Sequence, residues 1–332
     1  RRLVTQFWGE YSTGKTTSML KAIRHAQEYT DATTVLAVSE SFNKDWARSL
    51  GLLIPYTEEE LERLADAYGQ EVADDQESDQ EAYPEFVLIQ HAHGDALLEL
   101  FTHHVKSGLF DIAALDSLGA IQRHRNLEGS LEDENYGGNS SLLSSFSKKI
   151  HSAQSLRYDP KTMVPSNADG CVPSRTAVLL INQAREKIGG YNPTGQKLLK
   201  YNGGEAAKHM FDVSVQFKKG PLYTRKHNTK TVTYAQEVRC KSDKNKTAPP
   251  FREAEWDFYF ETHEDFRRGD VDTVKELFAW GTYFEVIVRE GSYYTVASER
   301  VKSKEAALEV LRTSASAQEA VYAGCMEAAS RV

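Results

Sequence analysis

Residues Gly9-Glu10-Tyr11-Ser12-Thr13-Gly14-Lys15-Thr16-Thr17 spell G-x-x-x-x-G-K-T, and their flanks restrict what the chain can become. A short apolar run, Leu3 to Trp8, precedes the motif, and a segment of helical period, Ser18 to Tyr29, follows it. Strand, glycine loop and helix start is the arrangement that turns this spacing into a polyphosphate cradle. The glycines allow tight turns that a Cβ would obstruct, so successive backbone N–H groups can face one anion. The helix dipole adds attraction at the same point. In that setting Lys15 reaches the β- and γ-phosphates and the Thr16 hydroxyl ligates Mg²⁺, so the loop is expected to hold a nucleoside triphosphate. A glycine turn that binds nothing is the bland alternative, and the flanking elements disfavour it.

Short apolar, β-branched runs recur between stretches of helical spacing. Thr33–Ser39, Phe86–Gln90, Phe110–Leu115 and Thr176–Asn182 read as buried strands; Asp95–Ser107 and Ser140–Leu156 read as helices. That alternation implies an α/β fold with a mostly parallel, doubly wound sheet and ligands at its carboxyl edge. Thr231–Arg239 and Ala254–Phe260 alternate like antiparallel strands that extend the sheet. Glu261 to Asp270 reads as a linker. Beyond it, a helix around Val271–Trp280, a hairpin-like Phe284–Val296 and helices from Ser303 onward suggest a small C-terminal α/β lobe. A chain of 332 residues accommodates one large domain, expected over 1–261, and a small one over 262–332. Three segments read as loops: acidic Tyr68–Tyr83, Asn126–Ser140, and Ala184–Gly204 with its five glycines.

Hydrophobic content of 40% and charged content of 27% describe an ordinary globular chain. No apolar run approaches the ~20 residues of a bilayer span, so no membrane partner is expected. Three cysteines, Cys171, Cys240 and Cys325, lie far apart without a C-x-x-C pair, which suggests reduced thiols in the cytoplasm and no zinc site. The chain opens at Arg1 directly on its first apolar run, so a preceding segment is expected to have been removed or left out. The net charge of −8 is uneven: Glu58 to Glu85 holds twelve acidic residues against Arg63 alone. This acidic stretch, about 55–85, looks like an insertion. Leu222 to Lys246 is basic, which leaves room for a polyanionic partner.

Several strand ends carry side chains suited to phosphoryl chemistry. Asp116 closes Phe110–Leu115, where a carboxylate would hold Mg²⁺ beside the phosphate loop. Glu40 closes Thr33–Ser39 and could polarise a water attacking the γ-phosphate, although exposed glutamates are common. Gln183 follows Asn182 at the root of the glycine-rich segment; its amide can donate to a γ-phosphate oxygen and make that segment respond to ATP against ADP. Glycine amides with Arg185, Lys187, Lys197, Lys200, Gly203 and Gly204 suit a phosphodiester strand, while composition alone fits a surface loop. Lys244 and Lys246, spaced i and i+2 on an extended segment, could reach a phosphate across a subunit boundary. Otherwise they are a solvated pair.

Taken in order, GEYSTGKTT, the strand ending in Glu40, FDIAALDS, LLINQ, a Gly-Gly loop and KNKTAPPF resemble the bacterial RecA recombinase family. The resemblance runs with gaps from about Arg2 to Tyr322. INQ followed by R-x-K-I-G, and later K-N-K-x-A-x-P-F, makes it far more specific than the phosphate loop. It implies a RecA-like ATPase core in which Lys15, Thr16 and Asp116 hold ATP and Mg²⁺. By the same resemblance Glu40 is the glutamate that assists hydrolysis, Gln183 the γ-phosphate sensor, and Trp46 an aromatic stacked on adenine. Lys244 and Lys246 would act on the ATP of the neighbouring protomer. Two DNA-binding loops would span about 126–140, with Tyr136 and Gly137, and 184–204, with Arg185, Lys187, Gly203 and Gly204. Lys148 on the following helical stretch joins the DNA-facing positions. The lobe from about Thr262 resembles the family's small duplex-binding domain. The family's N-terminal helix and strand, which dock onto the next protomer, have no match in this sequence, nor do Glu58–Glu85 and Arg157–Ser174 in the common pattern.

The function this implies is an ATP-dependent homologous recombinase, a DNA-dependent ATPase that forms a helical filament of identical copies on single-stranded DNA and pairs it with homologous duplex. A protein that coats single-stranded DNA or mediates recombination, with ATP as a switch and little turnover, is the alternative. A RecA-core helicase or signalling ATPase is a third reading, one that does not need the K-N-K and second-loop signatures together.

Overall fold

A computed structural model describes residues 3–121, 138–159, 162, 164, 166, 172–191, 197–201 and 208–331, with the backbone alone at 138–140, 172, 187–191, 197 and 198. Contacts divide the chain into two compact units: Arg1–Lys219 with Cys240–Glu253, and Gly220–Arg239 with Ala254–Val332. The second therefore includes strand segments that the sequence groups with the core.

The first unit opens with β1 (Val4–Gly9), α1 (Lys15–Thr30), β2 (Thr34–Val38) and the short α2 (Lys44–Ser49). Next come α3 (Glu58–Tyr68), α4 (Gln70–Gln80), β3 (Phe86–Gln90), α5 (Gly94–Ser107), β4 (Ile112–Asp116) and α6 (Gly138–Ser155). After the small pair β5 (Arg157–Tyr158) and β6 (Val172–Pro173) follow the long β7 (Ala177–Tyr191), β8 (Lys197–Tyr201), the first part of β9 (Val213–His227) and the last part of β10 (Lys230–Asn245).

Within this unit the strands run in the order β9-β1-β7-β4-β2-β3, each pair parallel, and β8 pairs antiparallel to β7. Strands buried on both faces read as continuous apolar runs. Val35 and Ala37 join Leu97, Phe101, Phe146 and Ile150 in one cluster, under α5 and α6. Leu36, whose side chain points to the opposite face, is also fully buried. Each such side chain contributes roughly 1.5–3 kcal/mol on leaving water. α1 buries Met19, Leu20 and Ile23, a stripe of helical spacing.

Two expectations are corrected. Tyr68–Tyr83, expected as a helix-poor excursion, belongs to a helical pair, α3 and α4. Thr57 and Glu60 close a capping box at the start of α3, and Ala73 of α4 is buried. Acidic composition hid runs of Glu, Gln and Ala that favour helix. Ala184–Gly204, expected as an irregular loop, is over its described residues a β-hairpin with Ala184 opposite Tyr201 and Arg185 opposite Lys200. Tyr201 roots it in the core, edge-on to Trp8 and Phe211. The segment expected over Asn126–Ser140 lies mostly outside the described residues.

In the second unit the far parts of β9 and β10 join β11 (Glu253–Tyr259). Then come α7 (Thr273–Tyr283), the meander β12 (Val288–Glu290), β13 (Tyr293–Val296) and β14 (Glu299–Lys302), then α8 (Lys304–Thr313) and α9 (Ala315–Ser330). Phe278, Ile287, Val296, Leu311 and Val321 form its core. Glu261–Asp270, expected as a linker, folds back on β11: Tyr259 donates its amide to Asp270, and Phe266 stacks on the Tyr259 ring at 4.2 Å. No helix among the described residues is long and apolar enough to cross a membrane.

One close approach holds the central strands together. A Cβ added at Gly9 would lie 2.3 Å from the Phe217 carbonyl oxygen of β9. Backbone cannot retreat as a flexible side chain can, so Gly9→Ala is expected to destabilise by about 2–4 kcal/mol. Thermal or urea denaturation of the variant checks this; an unchanged midpoint would refute it.

Candidate active site

Parallel register determines which residues meet at the carboxyl edge. Gly9 stands opposite Gln183, and Val38 opposite Asp116. Ser39 continues the alignment: its amide donates to the Asp116 carbonyl, and its hydroxyl accepts from the Ser117 amide. Glu40 follows directly. Four strand ends thus bring the phosphate loop, two carboxylates and one amide to a single locus.

The loop leaves β1 at Gly9 and enters α1 through Gly14, which adopts φ 85°, left-handed backbone that suits glycine. No side chain caps this helix end. Its first amides therefore lack intrahelical acceptors and remain available to an anion. The Thr13 hydroxyl closes the loop on the Glu10 carbonyl at 2.9 Å. Lys15 is buried, and its Nζ donates to the carbonyls of Gly9 at 3.1 Å and Glu10 at 2.5 Å. Burial lowers its pKa, while the charges of Asp116, Glu40 and Glu10 oppose that shift. The ammonium thus rests on loop oxygens where phosphate oxygens would offer stronger, charged acceptors.

Thr16 donates its hydroxyl to Asp116 Oδ2 at 2.7 Å. Burial pushes the Asp116 carboxyl up to about 6; the Thr16 hydrogen bond and Lys15 pull it down, and Glu40 pushes it up. A hydroxyl and a carboxylate in contact, one of them desolvated and short of positive charge, fit a hard cation with oxygen ligands. Thr16 and Asp116 are the residues that would hold Mg²⁺ here.

Beside them runs a chain of hydrogen bonds. The Gln183 amide donates Nε2 to Glu40 Oε1 at 2.7 Å, and the Ser117 hydroxyl donates to the same oxygen at 2.7 Å. Tyr11, from the phosphate loop, donates its hydroxyl to Gln183 Oε1 at 3.0 Å. Gly119 makes room for this amide: a Cβ there would lie 2.7 Å from Gln183 Cδ. The sequence reading missed Ser39, Ser117 and Gly119, and also the bond from Tyr11 to Gln183. Ser117 stands within the FDIAALDS motif, the one signal that pointed to it.

The remaining sequence-derived positions lie elsewhere. Thr17 sits in the first turn of α1. Trp46 is half-buried on α2, six residues beyond Glu40. Lys148 is exposed on α6, and Arg185 is exposed on β7. Tyr136, Gly137, Gly203 and Gly204 lie outside the described residues, as does the Lys187 side chain. Lys244 and Lys246 are not brought to this chain's own loop. Lys246 Nζ donates to Asp212 Oδ1 at 2.7 Å, and Asp212 Oδ2 accepts from the Val4 amide at the amino end of β1. Lys244 Nζ donates to the Lys208 carbonyl at 2.7 Å. Val4 to Gly9 is five residue steps, so ~17 Å of strand separates Lys246 from the loop.

The raised Asp116 pKa has a defined sign. Its charged form is disfavoured on folding, so stability is greatest below the ordinary pKa of 3.8 and falls as pH rises through about 6. Asp116→Asn is therefore expected to stabilise the nucleotide-free protein by on the order of 1–3 kcal/mol at pH 7 and not at all below pH ~4, while Mg²⁺-dependent ATP binding weakens at least about tenfold. Denaturation at both pH values and ATP titration with and without Mg²⁺ check this. Equal stability at pH 7 would contradict the burial account.

A family model described as the RecA N-terminal domain matches residues 82–263, a span that holds Asp116, Gln183, Lys244 and Lys246. Protein RecA of Nitratidesulfovibrio vulgaris (strain DP4) is 29% identical over 331 residues, 98% of this chain and 75% of the relative. Protein RecA of Oleidesulfovibrio alaskensis is 26% identical over 98% of this chain and 77% of its own length. Protein RecA of Streptomyces rimosus is 26% identical over 94% and 67%. The chain belongs to the RecA family of ATP-dependent recombinases, P-loop ATPases stimulated by DNA that use ATP with Mg²⁺.

Proposed function

We propose that this recombinase completes its ATP site only between two copies of the chain, and that the completed site sets its loops on single-stranded DNA. Lys15 and the loop amides hold the triphosphate of one copy, while Lys244 and Lys246 of the next meet its γ-phosphate. The observation that carries this reading is the position of Lys246, bonded to Asp212 at the amino end of β1, a strand length from its own loop. A lysine side chain spans roughly 6 Å, so it cannot serve its own nucleotide but is free to serve another's. Contacts of this head-to-tail kind build rings or helical filaments, and the family's DNA chemistry favours a filament.

Thr16 and Asp116 would hold Mg²⁺, which would supply charge neutralisation to the phosphoryl group being transferred. Glu40 accepts the proton of the attacking water as its oxygen bonds to the γ-phosphorus and the β–γ bridge breaks. Gln183 Nε2 turns from Glu40 to donate to a γ-phosphate oxygen, which leaves Glu40 to the water. Because Gln183 lies on β7, the strand that forms the hairpin with β8, its position couples nucleotide state to that hairpin. Trp46 stacks on the adenine. Arg185, Lys187, Gly203 and Gly204 of the hairpin region contact the single strand, joined by Tyr136, Gly137 and Lys148 from about 126 onward. The core over 1–261 carries this machinery, and the lobe over 262–332 contacts duplex. The switch-only alternative is not favoured: a protein without turnover needs no glutamate held between Ser117 and Gln183.

Complementation tests the shared site. Lys15→Ala and the double variant Lys244→Ala/Lys246→Ala should each lose DNA-stimulated hydrolysis. Mixed one to one, about a quarter of random interfaces pair an intact loop with intact lysines, so about a quarter of wild-type activity should return. A mixture as inactive as its components would overturn the shared site.

A further inference from the structure

The acidic helices α3 and α4 have no place in the mechanism above, yet one of their carboxylates is bonded to the helix that carries Trp46. Glu60 Oε1 accepts from Lys44 Nζ at 2.9 Å, and Oε2 accepts from Arg48 Nη2 at 2.9 Å and from the Thr57 amide at 3.0 Å. Lys44 and Arg48 both belong to α2. Arg48 is only 10% exposed: Nε donates to the Ile54 carbonyl, Nη2 to the Pro55 carbonyl, and the guanidinium lies 3.8 Å from the centre of the Tyr56 ring. Gln27 of α1 clasps Leu53 through both its amide and its carbonyl, so the connection beneath α2 is itself tied to the core. Tyr56 donates its amide to Gln80 at the end of α4.

A helix of six residues has no stability of its own, so its orientation depends on what grips it. Lys44 and Arg48, four apart, share one face; Trp46, about 200° round from Lys44, occupies the opposite face. Asn43, which caps α2 through the Trp46 amide, stands three residues after Glu40. The gripped helix is thus also the continuation of the segment that enters the active site.

We propose that Glu60 is a positioning residue for nucleotide binding: by holding Lys44 and Arg48 it sets the opposite face of α2, and Trp46 with it, against the adenine. This rests on the reading of Trp46 as the base-stacking residue. The inserted helices are then a buttress of the ATP site, acting through a single carboxylate. Burial raises the Glu60 pKa, but the Thr57 amide, Lys44 and Arg48 outweigh it and hold the carboxyl at about 2, so the grip stays charged throughout the working pH range.

The test compares Glu60→Gln, Lys44→Met, Trp46→Ala and the double variant Glu60→Gln/Trp46→Ala in DNA-stimulated hydrolysis and in equilibrium binding of ATP and of inorganic tripolyphosphate. Tripolyphosphate has the anion without the base. Glu60→Gln is expected to raise both KM and Kd for ATP about 5–20-fold with kcat within about twofold, and to leave tripolyphosphate affinity unchanged. Lys44→Met, which breaks one arm and spares the capping box, should do the same more weakly. The double variant should bind ATP no worse than Trp46→Ala alone, because residues that act through one another are not additive. The proposal is overturned if Trp46→Ala weakens ATP while Glu60→Gln and Lys44→Met do not. Equal loss of ATP and tripolyphosphate, a fall in kcat at unchanged KM, or additive losses in the double variant would also overturn it. Unchanged ATP binding in Trp46→Ala would instead refute the base-stacking reading, and the proposal with it.

Discussion

Parallel pairing of β1 with β7, and of β2 with β4, aligns four carboxyl ends at one edge of the sheet, and the chemistry follows from that alignment. A shift of one residue would turn Asp116 to the other face, away from Thr16, and part Gln183 from Glu40. The alignment is held by burial on both faces and by the approach of Gly9 to the Phe217 carbonyl, which admits no side chain. The site is therefore as rigid as the core strands that end in it, and its loops inherit their positions from them.

The same edge carries a concentrated electrostatic strain. Lys15 is buried against loop carbonyls, and the half-buried Asp116 carboxylate has the Thr16 hydroxyl as its bonded partner among the described contacts. Each charge is less favourable there than in water. A triphosphate and its cation bound there would supply these charges with partners and so stabilise the loaded protein. The Gln183 amide lies beside these charges, between Tyr11 of the phosphate loop and Glu40 of the next strand but one.

The second unit and the acidic helices α3 and α4 show how charge can be structural. Lys275 is paired with buried Asp257, and Arg312 with buried Asp272, inside the C-terminal unit. Breaking one partner of a buried pair leaves the other uncompensated, so such pairs define a unique packing more than they add stability. Glu60 with Lys44 and Arg48 follows the same rule on the first unit. In a stretch with twelve acidic residues, only this one of them joins α2 among the described contacts.

Local pattern alone determined much of this protein. The spacing of glycines with Lys15 and Thr16 gave the loop, the apolar runs gave β1, β2, β3, β4 and β11 to within two residues, and strand ends pointed to Glu40, Asp116 and Gln183. Each depends on neighbours within a few residues, which sequence displays. What it did not display was pairing at a distance: Gln183 meets Glu40 across 143 residues and Tyr11 across 172, and periodicity carries no record of such partners. The Tyr68–Tyr83 helices were hidden for a related reason, since their acidic residues conceal a cap at Thr57 and an ionic grip on another helix. Tertiary structure also placed Lys246 at the far end of β1, because its bond to Asp212 is decided by which strand lies beside which.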